Sequence, residues 1–109
     1  LETTVAAQLG KEAALFFPSG TMANQAAIWA WTRPGTEILL DADAHIVHWE
    51  LAGAAALAGV QIRPVAGHAG RPCRADAMRA AIRDHVFHPS PSLVAMENTH
   101  HGSGGTVDT

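Results

Sequence analysis

Apolar and polar positions along the chain alternate between two rhythms. Leu1, Val5 and Leu9 recur every fourth residue, which places them on one helical face, and Gly10 supplies a stop. Ala13-Ala14-Leu15-Phe16-Phe17 is a short apolar run closed by Pro18-Ser19-Gly20, with the length and flanks of a buried strand. Helical spacing returns from Thr21 to about Trp31, with Met22, Ala26 and Trp29-Ala30 near one face and Ser19 or Thr21 as N-cap. Arg33-Pro34-Gly35 breaks that helix, and Glu37-Ile38-Leu39-Leu40 reads as a second strand. Asp41-Ala42-Asp43-Ala44 then turns the chain into a third helix, predicted from His45 to about Ala58 and closed by Gly59. Val60 to Val65 is a strand whose Pro64 suits a sheet edge or a strand end. A Gly-rich loop, Gly67 to Pro72, leads into a helix around Ala75 to Arg83 with Met78, Ala81 and Ile82 facing inward. Leu93-Val94-Ala95-Met96 is the last strand, followed by Glu97-Asn98-Thr99-His100 and a flexible Gly102-Ser103-Gly104-Gly105 segment.

Strands alternating with helices of this length predict the α/β class, with a mostly parallel sheet and helical crossovers. No repeat and no linker divides the 109 residues, so they are read as one unit. Leu1 opens within a helical stretch, and Thr109 stops where a new element could begin. Both features predict an incomplete domain.

Composition narrows the function classes. Hydrophobic residues make up 48% and charged residues 16%, which argues against a disordered chain. A net charge of -3 gives no reason to expect nucleic acid or an anionic membrane as partner. No uninterrupted apolar run is long enough to span a bilayer. The single cysteine, Cys73, cannot form an internal disulfide, which fits a reducing compartment and a cytoplasmic location.

Three stretches carry candidate chemistry. In Phe16-Phe17-Pro18-Ser19-Gly20-Thr21-Met22-Ala23-Asn24 a strand ends and a helix starts at once. Helix N-termini expose unpaired N–H groups and a positive dipole end, so they attract phosphate. Gly20 would admit a phosphate to the backbone, and the Ser19 and Thr21 hydroxyls could bond to it; an ordinary capped helix is the alternative. The second stretch holds Asp41, Asp43, His45 and His48, among seven histidines. His45 and His48 lie one helical turn apart, a spacing that can serve a metal. With no cysteine pair and no His-Glu-x-x-His pattern, no metal site is assigned. His45 follows a strand end, so its imidazole could instead stack on an aromatic cofactor whose phosphate the helix terminus holds, or simply cap its own helix. Trp49 and Glu50 read as core and surface respectively. In the third stretch, Glu97, Asn98, Thr99 and His100 follow an apolar strand directly. Three polar groups are thereby expected on one carboxyl edge of the sheet, where open α/β sheets place ligands.

Taken together these stretches resemble the L-threonine aldolases, within the aromatic amino acid β-eliminating lyases. The resemblance rests on Leu1-Glu2, Leu9-Gly10-Lys11-Glu12-Ala13-Ala14, Phe17-Pro18-Ser19-Gly20-Thr21-Met22-Ala23-Asn24, Arg33-Pro34-Gly35, Ala44-His45-Ile46 with Trp49-Glu50, Leu57-Ala58-Gly59-Val60, and Glu97-Asn98-Thr99-His100 through Gly104-Gly105. It implies the N-terminal part of the cofactor-binding large domain of a fold-type I pyridoxal 5'-phosphate enzyme. Such an enzyme cleaves threonine- or allo-threonine-type β-hydroxy-α-amino acids to glycine and an aldehyde. By the same resemblance Gly20 and Thr21, with Ser19, hold the cofactor phosphate. His45 would stack on the pyridine ring and take part in deprotonating the substrate hydroxyl. Trp49 and Glu97 to His100 would lie at the substrate pocket, and the protein would be a homo-oligomer. The family also uses an aspartate on the pyridine nitrogen, an arginine shortly after it and a Schiff-base lysine, all downstream of the matched stretch. The single lysine, Lys11, matches a non-catalytic position, so the chain alone is expected to be inactive. A histidine that some members carry before the last strand aligns only approximately, to Phe87 or His88. Another fold-type I lyase acting on aromatic amino acids, or a non-catalytic phosphate-binding remnant, are the alternatives.

Overall fold

The computed structural model describes residues 1–68 and 70–107. Its elements are α1 (Glu2–Gln8), α2 (Gly20–Trp31), β1 (Glu37–Asp41), α3 (His45–His48), α4 (Gly53–Ala58), β2 (Gln61–Val65), α5 (Ala75–Ala81), β3 (Pro91–Ala95) and a 3-10 turn at His101–Ser103. The three strands are parallel in the order β2-β1-β3. Every residue of β1 is buried, as a strand covered on both faces requires. Period-two alternation then divides its side chains between two cores. Ile38 and Leu40 face α2 and α4 in a cluster with Ile28, Ala44, Ala54, Ala58 and Val60. Leu39 faces Cys73 and Met78 of the α5 side. The chain is therefore a three-layer α/β unit with helical crossovers, as the alternation predicts. Pro64 sits in β2 at an outer position of the sheet, where its missing N–H costs no ladder bond.

Two expected elements are corrected, and the structure shows which residues of α1 and α2 are buried. Ala13–Phe17 forms no strand; Phe16 N–H donates to Glu2 Oε1 at 2.6 Å, a bond that ties it to α1 and not to a ladder. The Leu1, Val5 and Leu9 face of α1 points outward, and Ala6 is the buried residue. In α2 the buried residues are Gln25 and Ile28, while Met22 and Trp29 are exposed. Burial there follows the contact with α4 and the sheet, which periodicity alone does not locate. Finally, the helix predicted from His45 to Ala58 is two helices. The chain turns between them through Leu51 and Ala52, both left-handed at φ 54° and 57°. In addition, Ile82 lies beyond the end of α5 and is exposed, although Met78 is buried as expected. Among the described residues no helix is long and apolar enough to cross a membrane.

Candidate active site

The carboxyl ends of β1 and β3 and the N-terminus of α2 meet at one cleft of about 380 Å³, lined by Gly20, Asn24, Leu40, Ala44, His45, Ile46 and residues 95–98. Ser19 is the N-cap of α2, its extended backbone turning the chain and its Oγ accepting from Met22 N–H at 3.1 Å. The remaining first-turn N–H groups have no intrahelical acceptor, and α2 is long enough, at 12 residues, for its dipole to favour an anion there. A Cβ added at Gly20 would meet nothing within 4 Å, so this end of the helix faces open space.

His45 starts α3 directly beside that helix end and is held at two points. Its backbone N–H donates to Glu97 Oε2 at 2.7 Å, while Glu97 Oε1 accepts from His101 N–H at 2.8 Å. One carboxylate at the end of β3 thus fixes the starts of both α3 and the 3-10 turn. The imidazole Nδ1 lies 3.0 Å from Glu50 Oε1. Glu50 is buried beneath the cleft, where Asn24 Nδ2 donates to Oε1 at 2.7 Å and Gln25 Nε2 to Oε2 at 2.6 Å. The His101 ring meets the His45 ring edge-on at a centroid distance of 5.7 Å, and Trp49 meets His101 similarly at 6.3 Å.

A second carboxylate, Asp41, closes the end of β1. Its Oδ1 accepts from Asp43 N–H at 2.7 Å and its Oδ2 from Cys73 N–H at 2.5 Å. His100 Nε2 sits 3.3 Å from Oδ1, near enough for ion pairing but off the line of a hydrogen bond. Burial pushes the Asp41 pKa up; the two backbone donors and His100 outweigh it and hold the carboxyl below its ordinary range.

The structure therefore brings Gly20, His45, Glu97 and Asn98 to one cleft, flanked by Ser19 and Thr21. Thr99 and Trp49 are exposed outside its lining, and His100 is buried behind it against Asp41. Trp49 and Glu50 reverse their expected places, the tryptophan being exposed and the glutamate buried. Phe87 and His88 lie away from the cleft, close to His85. His48 Nε2 is engaged by the Ala42 carbonyl oxygen at 2.8 Å, while the His45 ring faces Glu50. Among the described residues no three His, Cys, Asp or Glu side chains are grouped to hold a metal. Sequence reasoning overlooked Asn24, Gln25 and Glu50 as site residues. His45 and Glu50 are five apart, a spacing that joins side chains only because the helix breaks between them.

The family model for beta-eliminating lyases matches residues 1–109. The chain belongs to the beta-eliminating lyase family. It is 39% identical over 109 residues to low-specificity L-threonine aldolase 1 of Arabidopsis thaliana, covering 96% of this chain and 30% of that protein. It is also 37% identical over 110 residues to alanine racemase TOXG of Cochliobolus carbonum, covering 97% of this chain and 27% of that one. The fold matches the crystal structure of a protein described as an aromatic amino acid beta-eliminating lyase/threonine aldolase, from Exiguobacterium sp. 255-15. That match has a TM-score of 0.78 and 27% identity over 99% of this chain and 29% of the other. The lyase-family chain thus spans about 30% of the length of the relatives it matches.

The cleft suits a phosphorylated aromatic cofactor. Gly20 leaves open space at a helix N-terminus, the donor set for a phosphate, and His45 supplies a planar ring on the same cleft. Lys11 lies elsewhere, in a depression with Glu2, Thr3 and Ala7 beside α1.

Proposed function

We propose that the chain carries the phosphate- and ring-binding residues of a pyridoxal 5'-phosphate lyase of the threonine aldolase type. Its substrates would be threonine- and allo-threonine-type β-hydroxy-α-amino acids, cleaved to glycine and an aldehyde. The observation that carries this reading is the meeting of the α2 N-terminus at Gly20 with His45 in one cleft. In this reading Gly20 and Thr21 donate backbone N–H groups to the phosphate, and the Ser19 and Thr21 hydroxyls add to them. His45 lies against the ring and accepts the proton of the substrate hydroxyl. Asn98, exposed at the cleft wall, contacts the amino acid substrate, while Glu97 holds His45 in place. The cofactor, when bound, takes up the electrons released as the Cα–Cβ bond breaks. The 109 residues are read as the first part of the cofactor-binding domain of a cytoplasmic homo-oligomer, and on their own they release no aldehyde because Lys11 is remote from the cleft.

Binding tests the phosphate assignment directly. Pyridoxal 5'-phosphate should quench the tryptophan fluorescence of the purified chain. Pyridoxal without its phosphate should bind at least about tenfold more weakly, since charge-assisted hydrogen bonds are lost. Gly20→Ala, which meets no neighbour in the fold, should weaken only the phosphorylated ligand. Equal affinity for the two ligands would sink the assignment. For the reaction, the gene's complete product should release acetaldehyde from L-threonine or L-allo-threonine; ammonia from tyrosine or tryptophan would move the assignment to the aromatic branch.

A further inference from the structure

Glu50 has no part in the roles above, yet it is among the most thoroughly bonded side chains in the molecule. Its side chain is fully enclosed, and three donors converge on its two oxygens: Asn24 Nδ2, Gln25 Nε2 and the His45 ring at Nδ1. Gln25 is itself buried and turns its Nε2 toward Glu50, leaving its own Oε1 with no hydrogen-bond partner. An orphaned buried carbonyl oxygen is costly, so this orientation is held by a demand for donors at Glu50. Such a demand identifies an ionised carboxylate, which accepts and cannot donate. The His45 contact then has one consistent polarity, with Nδ1–H as donor. In the neutral ring the lone pair is left on Nε2, which has no hydrogen-bond partner among the described residues.

We propose that Glu50, braced by Asn24 and Gln25, is a positioning residue that fixes His45 as the Nδ1–H tautomer and so keeps Nε2 available as a proton acceptor at the cleft. The inference rests on the reading of His45 as the group that accepts the substrate hydroxyl proton. When Nε2 takes that proton, the enclosed carboxylate stabilises the imidazolium across the Nδ1–H bond. The construction also explains Gly53. A Cβ there would come within 2.7 Å of the Gln25 side-chain carboxamide carbon, so glycine is what lets α4 close over the brace.

The test is the tautomer itself, read by long-range proton–nitrogen NMR on the histidine-labelled chain without cofactor, at a pH where the ring is neutral. The Nδ1–H form of His45 should exceed the Nε2–H form by at least about tenfold, the factor that a hydrogen bond to a charged group supplies. Glu50→Met should abolish that preference, with the other imidazole signals unmoved. Glu50→Gln, which keeps the size and an acceptor but removes the charge, should reduce it if the methionine variant does not fold. A predominant Nε2–H form in the unsubstituted chain overturns the proposal, as does a ratio unchanged within about twofold in a folded variant. The reading uses neither cofactor nor turnover. A failure here leaves the phosphate-binding result standing, and a failure of phosphate binding leaves the tautomer result intact.

Discussion

Asp41 shows how a single side chain can terminate a strand and hold two loops. Its carboxylate takes the backbone N–H groups of Asp43 and Cys73 and faces His100, so β1, the loop before α5 and the segment after β3 meet on one residue. Because its pKa in the folded chain is lowered, folding favours the ionised form. The resulting stability is present above the ordinary carboxylate pKa and is lost as pH falls through the lower, folded value. Asp41→Asn should therefore cost about 2 kcal/mol at neutral pH, the scale of hydrogen bonds to a charged acceptor. The gap between variant and parent should close as the pH drops through the acid range. Urea unfolding at several pH values checks this, and a gap that stays constant down to acid pH would show that the charge contributes nothing. Asp41 was legible as a strand-end residue, but its bond to Cys73 spans 32 positions and no local pattern announces it.

Among the elements, the break between α3 and α4 decides the site. Apolar spacing from His45 to Ala58 suits one helix, and the alanines favour it. In a continuous helix His45 and Glu50 would project from different faces. The chain instead passes Leu51 and Ala52 through left-handed backbone, which turns Glu50 inward beneath His45. Each such non-glycine residue costs on the order of 1–2 kcal/mol. Ala52→Gly should accordingly raise the unfolding free energy by about 0.5–1 kcal/mol, once glycine's greater freedom in the unfolded chain is allowed for. Ala52→Val should lower it. Thermal unfolding of the two variants distinguishes this from an unstrained loop, in which glycine would be the more harmful change. The elements the sequence identifies correctly, α1, β1, β2, β3, α2 and α5, are those whose ends are marked by Pro, Gly or a capping Ser. Those it misreads are decided by contacts between separate elements: Glu50 bonding Asn24 and Gln25 of α2, and Phe16 bonding Glu2 where a strand was expected.

At the scale of the whole molecule, the polar edge of the sheet was readable because the carboxyl ends of parallel strands lie together by topology, and Gly20, His45 and Glu97 each follow such an end or begin the helix beside it. The same layering leaves much apolar surface uncovered. Leu15, Phe16, Trp29, Trp31 and Leu57 are each more than half exposed, and Leu15 and Phe16 lie in the very segment expected to be a buried strand. Scattered single exposures are ordinary, but five large side chains distributed over α2, α4 and the stretch preceding α2 leave surface that water disfavours. Five such side chains, at roughly 1.5–3 kcal/mol each when covered, outweigh much of the entropy of association. The chain in solution should therefore associate rather than remain monomeric. Sedimentation velocity should show species larger than the 11.4 kDa monomer, with association weakened when Trp29 and Trp31 are both replaced by glutamine. A monomer at all concentrations, unfolding in one cooperative transition, would show instead that two small cores on either side of three strands suffice, and that the exposed tryptophans meet nothing.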